Sequence, residues 1–205
     1  HCRLNIIDLE SGNQPMLADN RKIGITFNGE IYGFKDIKRH LAFEFKTSSD
    51  TEVILALYQK FGSKMLPHLP GMFAFALWDE KKQKLFCARD RFGEKPFYYA
   101  IGKNNEFIFA SEIKAILASG LVSDEICVPS LIHYLKRLYI HPGESVYSHI
   151  HSLPPGHILE FSSEGLCIKK YWAPPQEEKR LSLSEASEEF SFLFKQAVQR
   201  QLIAD

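Results

Sequence analysis

The chain has 205 residues, in which 25 Lys and Arg balance 25 Asp and Glu, enough for one sizeable domain and the start of a second. Balanced charge removes the electrostatic case for a nucleic acid or an anionic membrane as partner. No apolar run reaches the length of a membrane-spanning helix, and Arg3, Asn5 and Asp8 stand where a signal peptide needs apolar residues.

Residues 3 to 9 alternate weakly and read as a strand, followed by a Ser11-Gly12-Asn13 turn. Lys22 to Phe27 reads as a second strand running into Asn28-Gly29-Glu30, where Asn-Gly signals a tight turn. A short helix is expected over 34–41. A longer one is expected over about 50–61, because Ser49 and Glu52 have capping-box spacing and Val53, Ile54, Leu57 and Tyr58 make an apolar face. Gly62 stops it.

Met72 to Trp78 is almost wholly apolar, the pattern of a strand buried on both faces, and Leu85 to Ala88 returns beside it after a charged turn. Phe97–Ile101 and Phe107–Ala110 make a second hairpin. Helices are expected over 111–119, ending before Gly120, and over 129–139. Short strands follow from His141 to Phe161, and a last one from Leu166 to Trp172. Residues 173–183 are proline-rich and charged and read as a linker. Ser182 and Glu185 then cap a final helix, with Phe190, Leu193, Phe194, Ala197 and Val198 on one face. Strands in hairpins with several helices predict an α+β fold with antiparallel sheets.

The four cysteines, Cys2, Cys87, Cys127 and Cys167, include no Cys-x-x-Cys pair, which argues against a zinc ribbon or a dense disulfide framework. A reducing cytoplasm is the expected home. His149 and His151 share one strand face, but no third ligand accompanies them, so no metal is expected.

Among groups fit for chemistry, Asn28-Gly29 offers an amide side chain beside a backbone N–H, a pair able to hold a developing oxyanion. Arg3 lies in an otherwise apolar strand and suits a carboxylate, although a surface arginine satisfies the same pattern. Asp50 begins a helix, where capping alone explains it. Arg89-Asp90-Arg91 with Lys95 forms a charged knot between apolar strands, read as a structural ion-pair network or a contact with another domain.

Taken in order, these pieces resemble the class II glutamine amidotransferases and, within them, the glutamine-hydrolysing asparagine synthetases. The matching segments are His1-Cys2-Arg3-Leu4-Asn5-Ile6-Ile7-Asp8, Gln14-Pro15-Met16, Asn28-Gly29-Glu30-Ile31-Tyr32 and Asp50-Thr51-Glu52-Val53-Ile54. Gly71-Met72-Phe73-Ala74-Phe75-Ala76, the run from Ala88 to Pro96, the run from Phe109 to Ala115 and Leu153-Pro154-Pro155-Gly156 continue the series.

The resemblance implies a four-layer αββα fold of the N-terminal-nucleophile type, with two antiparallel sheets, over residues 1–172. Residues 184–205 would then be the first helix of a second, ATP-binding domain. It implies an oxyanion hole from the Asn28 side chain and the Gly29 N–H. Arg3 anchors the glutamine carboxylate, Asp50 and Glu30 accept from its ammonium and amide groups, and backbone at Leu4, Asn5, Ile6 and Ile7 lines the pocket. The family's chemistry is covalent: an N-terminal cysteine attacks the glutamine amide, with its own α-amine carrying the proton. Ammonia then serves the amidation of aspartate, for which ATP and magnesium are expected in the second domain, whereas this stretch itself calls for no cofactor. The alternatives are a class II amidotransferase with another acceptor, in polysaccharide or antibiotic assembly, and a non-catalytic glutamine-binding or scaffold module.

Here the series departs from the family pattern. Position 1 is His1, and the leading Cys-Gly-Ile strand and first helix of the family have no counterpart, so the chain reads as a fragment, expected to be inactive by itself. Cys2 stands inside the His-x-Arg strand and not at the nucleophile position. A missing strand would leave ladder groups bare, so the fragment is expected to be unstable or to associate, in the simplest case as a homodimer.

Overall fold

The computed structural model describes residues 12–18, 21–176, 178 and 180–202. The strand expected over residues 3–9 lies outside them, with Cys2, Arg3, Leu4, Asn5, Ile6 and Ile7. The chain divides into two compact units: one holds 15–29 and 72–172, and the described residues of the other are 12–14, 30–71 and those beyond 172.

In the larger unit, β1 (Met16–Ala18) pairs antiparallel with β2 (Ile23–Ile31), with Met16 opposite Ile25. Ile23, Ile25 and Phe27 are buried and the residues between them half-exposed, the period of two that a strand imposes. The expected turn at Asn28-Gly29 does not form, and the strand runs on to Ile31. Gly29 has a φ of +150°, and a Cβ there would overlap the Met72 carbonyl and lie 2.8 Å from the Phe73 Cα. Glycine is needed here for close approach of two backbones and not for a hairpin.

The next strand, β3 (Gly71–Asp79), is buried continuously from Phe73 to Leu77, as its apolar run predicts. It pairs with β4 (Lys84–Arg89) from Ala74↔Arg89 to Asp79↔Lys84. Asp79 Oδ1 holds the connecting turn by accepting from the amides of Lys81 and Lys82, at 3.1 and 3.2 Å. The expected second hairpin is present as β5 (Tyr98–Ile101) and β6 (Phe107–Ala110), and β7 (His151–Ser152) joins the other edge of β5. With β8 (His157–Ser162) and β9 (Gly165–Lys170), the order of the larger sheet is β1-β2-β3-β4-β8-β9, and that of the smaller is β6-β5-β7.

The sheets of this unit pack face to face. Ala74, Ala76, Cys87 and Leu159 of the larger sheet form one buried cluster with Phe97, Tyr99 and Leu153. Phe107 stacks on Phe161 across it, with ring centroids 5.0 Å apart. On the outer face of the smaller sheet, Ile116 of α3 (Ile113–Leu117) packs with Ala100 and Ile150. The helix α4 (Val128–Arg137) ends on Leu138, which takes a left-handed φ of 61°. Both α3 and α4 are shorter than the sequence pattern predicts.

The other unit contains α1 (Phe34–His40), α2 (Thr51–Phe61), a 3₁₀ segment (Gly62–His68) and α5 (Leu183–Gln201). Thr51 to Tyr58 is buried all round, so α2 is a core helix and not a surface one. Its expected capping box is not made. Instead, Glu52 accepts from the amides of Lys46 and Thr47, both at 2.8 Å, and from the Thr47 hydroxyl at 2.7 Å. At α5 the predicted box is complete: Ser182 and Glu185 each accept from the other's amide. No side chain of α5 is buried, and Phe190, Leu193, Phe194 and Val198 are exposed.

Candidate functional site

In the larger unit, the half-buried Asn28 near the end of β2 donates from Nδ2 to the Ser111 hydroxyl at 3.2 Å. Ser111 sits at the bend between β6 and α3. Gly29 follows directly, and its backbone has room beside Met72 and Phe73 only because no side chain is present. A fixed amide NH₂ next to a glycine N–H is the type of donor pair that stabilises oxyanions.

In the other unit, Glu30 continues the strand half-buried, and Asp50 stands at the N-cap position of α2 with only 5% of its surface exposed. Asp50 does not cap α2 with its side chain; Oδ2 accepts from the amide of Ile31 at 3.0 Å. Burial pushes the Asp50 carboxyl up, the amides of Ile31 and Thr51 pull it part of the way back, and the nearby charge of Glu30 adds to the rise. Thr47 Oγ1 accepts from the Ser49 amide and Ser49 Oγ from the Thr51 amide, both at 3.2 Å. With Glu52, these bonds frame the loop that carries Asp50.

At the charged knot, Asp90 and Arg89 fasten backbone groups. Asp90, 1% exposed, accepts from the amides of Phe73, Phe92, Glu94 and Lys95 at 3.0 to 3.2 Å. Arg89 donates to three carbonyl oxygens, those of Lys95 and Leu153 at 2.7 Å and of Gly93 at 2.8 Å. Burial lowers the Arg89 guanidinium and the Asp90 charge raises it. The Tyr171 hydroxyl donates to the Arg89 carbonyl at 2.9 Å. Sequence reasoning missed these roles because the partners are backbone groups, which carry no sequence signature.

His149 lies 3.5 Å from Glu125, and the His151 ring is tilted against Tyr99 at 5.6 Å. Burial raises the Cys87 thiol well above its ordinary range, the environment of an inert packing cysteine. The sequence carries no site signal for Ser111 beyond its place in the run from Phe109 to Ala115.

Residues 1–172 match the model of a family described as the glutamine amidotransferase domain. The chain is 38% identical to glutamine-hydrolysing asparagine synthetase 3 of Bacillus subtilis, over all of this chain and 34% of that protein. It is 43% identical to amidase chry2 of Gibberella zeae, over 78% of this chain and 23% of that protein. It therefore spans about a third or less of the length of these relatives. Among solved structures, the glutamine phosphoribosylpyrophosphate amidotransferase of B. subtilis, complexed with ADP and GMP, is similar with a TM-score of 0.56. That similarity covers 78% of this chain and 32% of that one, at 20% identity. The likeness is one of fold, and it agrees with the expected α+β architecture of two antiparallel sheets with helices.

Proposed function

This chain belongs to the glutamine amidotransferase domain family, and from that premise we propose that it is the glutaminase part of a glutamine-hydrolysing asparagine synthetase. The observation that carries the reading is similarity along its whole length to the Bacillus asparagine synthetase. Residues 1–172 are the glutaminase domain, 173–183 the linker, and 184–205 the first helix of an ATP-binding domain.

In the chemistry of this reading, a cysteine thiolate adds to the side-chain amide carbon of glutamine, and the Asn28 amide and Gly29 N–H hold the oxyanion. The cysteine's α-amine, having taken the thiol proton, delivers it to the leaving nitrogen, and the tetrahedral species expels ammonia and leaves a thioester. Water then cleaves the thioester to glutamate and restores the thiol. Arg3 holds the substrate carboxylate, Asp50 and Glu30 take its ammonium and amide hydrogens, and backbone at Leu4, Asn5, Ile6 and Ile7 lines the pocket. In this reading ATP and magnesium would supply the activation of aspartate in another part of a longer protein, and the compartment is the cytoplasm, in keeping with four scattered cysteines.

The test is to supply the full-length protein with glutamine, aspartate, ATP and magnesium and to follow glutamate and asparagine. Equimolar glutamate and asparagine support the reading. Glutamate without asparagine assigns another acceptor, the second reading; the Gibberella relative is named an amidase and not an asparagine synthetase. No glutamate at all overturns both.

A further inference from the structure

We propose that Ser111 is a positioning residue for glutamine hydrolysis, aiming the Asn28 side chain at the substrate oxygen; this rests on the glutaminase reading above. An asparagine amide has two N–H bonds in one plane, set about 120° apart by its sp² nitrogen. In the structure one of them is directed at Ser111 Oγ, at an N···O distance of 3.2 Å. Fixing one N–H fixes the plane and therefore the direction of the other, which is the bond that meets a developing oxyanion. Without such a partner the amide turns about its broad terminal torsion and its donor loses aim.

Ser111 is well placed to do this because both of its flanks are fixed. Ala110, the residue before it, is paired with Tyr98 in the smaller sheet. Ile113 and Ile116 just after it pack into the apolar cluster under α3. The Ser111 side chain itself is exposed, so its hydroxyl adds little to the core, and removing it leaves the packing intact. Preorganised donors gain their effect from costing no reorganisation as charge develops, and the corner between β6 and α3 supplies that rigidity to a side chain on β2.

The experiment follows glutamate release by the full-length protein at varied glutamine for the parent, Ser111→Ala, Ser111→Thr, Asn28→Ala and the Ser111→Ala/Asn28→Ala double variant. Losing Asn28 costs about 10²–10³ in kcat if it is an oxyanion donor. Losing only its aim is expected to lower kcat about tenfold, with KM changed less than about twofold. Ser111→Thr, which keeps the hydroxyl, restores most of the rate. In the double variant Ser111→Ala adds nothing, since there is no amide left to aim. A Ser111→Ala enzyme with parental kcat, or one that loses as much rate with Asn28 absent as with it present, overturns the positioning role alone. An Asn28→Ala enzyme at the parental rate overturns the oxyanion-hole reading beneath it.

Discussion

The Asp50 carboxylate accepts the Ile31 amide at 3.0 Å, so the buried acid at the start of α2 also holds the last residue of β2. Burial, the largest influence, raises its carboxyl above the ordinary range. The folded protein thus binds this proton more tightly than the unfolded chain. The stabilisation is complete below the unfolded pKa and is lost as pH rises through the folded one. The charged Asp50 carboxylate therefore stabilises the fold less than its protonated form does. Asp50→Asn keeps an acceptor for Ile31 and removes the charge, so its melting temperature at pH 7 is expected to exceed the parent's. The gap should close on acidification toward pH 4, while on the proposed glutaminase reading glutamine affinity of the Asn variant, measured by calorimetry, is expected to fall at least about tenfold for want of a counter-charge to the substrate ammonium. A less stable Asn variant at pH 7 would contradict the sign.

Gly29 makes a different kind of demand. A side chain there meets the Met72 carbonyl and the Phe73 Cα, and both are backbone, so neither can rotate away. Its φ of +150° adds strain for any residue with a Cβ. Gly29→Ala is expected to destabilise the protein by about 3 kcal/mol or more, read by urea denaturation. Gly33→Ala is the control: its φ is also positive, at 65°, but nothing lies within 4 Å of the added carbon. If both variants lose the same stability, backbone strain alone is responsible and the close approach at Gly29 is not.

Asp90 ties four amides drawn from β3 and the loop after β4. Asp90→Ala leaves the buried Phe73 amide and the part-buried amides of Phe92, Glu94 and Lys95 without their acceptor, at a cost of about 3 kcal/mol. Asp90→Asn keeps one acceptor oxygen and should lose less. Amide hydrogen exchange locates the damage: Phe73 and Lys95 are expected to lose protection first. Uniform loss across both sheets would mean that Asp90 is not a local fastener.

The elements that sequence reasoning located are those whose signal is periodic and local. The alternation at Ile23, Ile25 and Phe27, the apolar run of β3 and the hairpin of β5 and β6 are legible because burial of one or both faces dictates residue type directly. Asn28-Gly29 misled at the local level, because the glycine answers to a neighbouring backbone rather than to its own turn. One spacing, Ser-x-x-Glu, behaved in two ways. Glu185 returns to the Ser182 amide at 2.9 Å, whereas Glu52 is captured by Lys46 and Thr47 from the preceding loop. Composition cannot foresee which amides a carboxylate will reach, and the same limit hid the roles of Asp90 and Arg89. The contact between Asn28 and Ser111 spans 83 positions, a distance only the fold can close.

The side chains of α5 are all at least partly exposed, so its stability rests on local terms. Ser182 Oγ accepts from the Glu185 amide at 3.3 Å, and Glu185 Oε2 accepts from the Ser182 amide at 2.9 Å. The backbone amide of Ser182, and then its hydroxyl, hold the Glu185 carboxyl below the usual range. For a depressed carboxyl the stabilisation is present above the unfolded pKa and is lost as pH falls through the folded one. Acidification from pH 7 should thus fray the first turn of α5 while β3 and β4 keep their protection, as followed by residue-resolved hydrogen exchange. Ser182→Ala is expected to fray the same turn already at pH 7 and to weaken its response to acid without abolishing it, because the hydroxyl is lost while the backbone amide of residue 182, the larger hold on Glu185, remains. Unchanged protection over residues 183–190 in that variant would mean that α5 is held by something other than its cap.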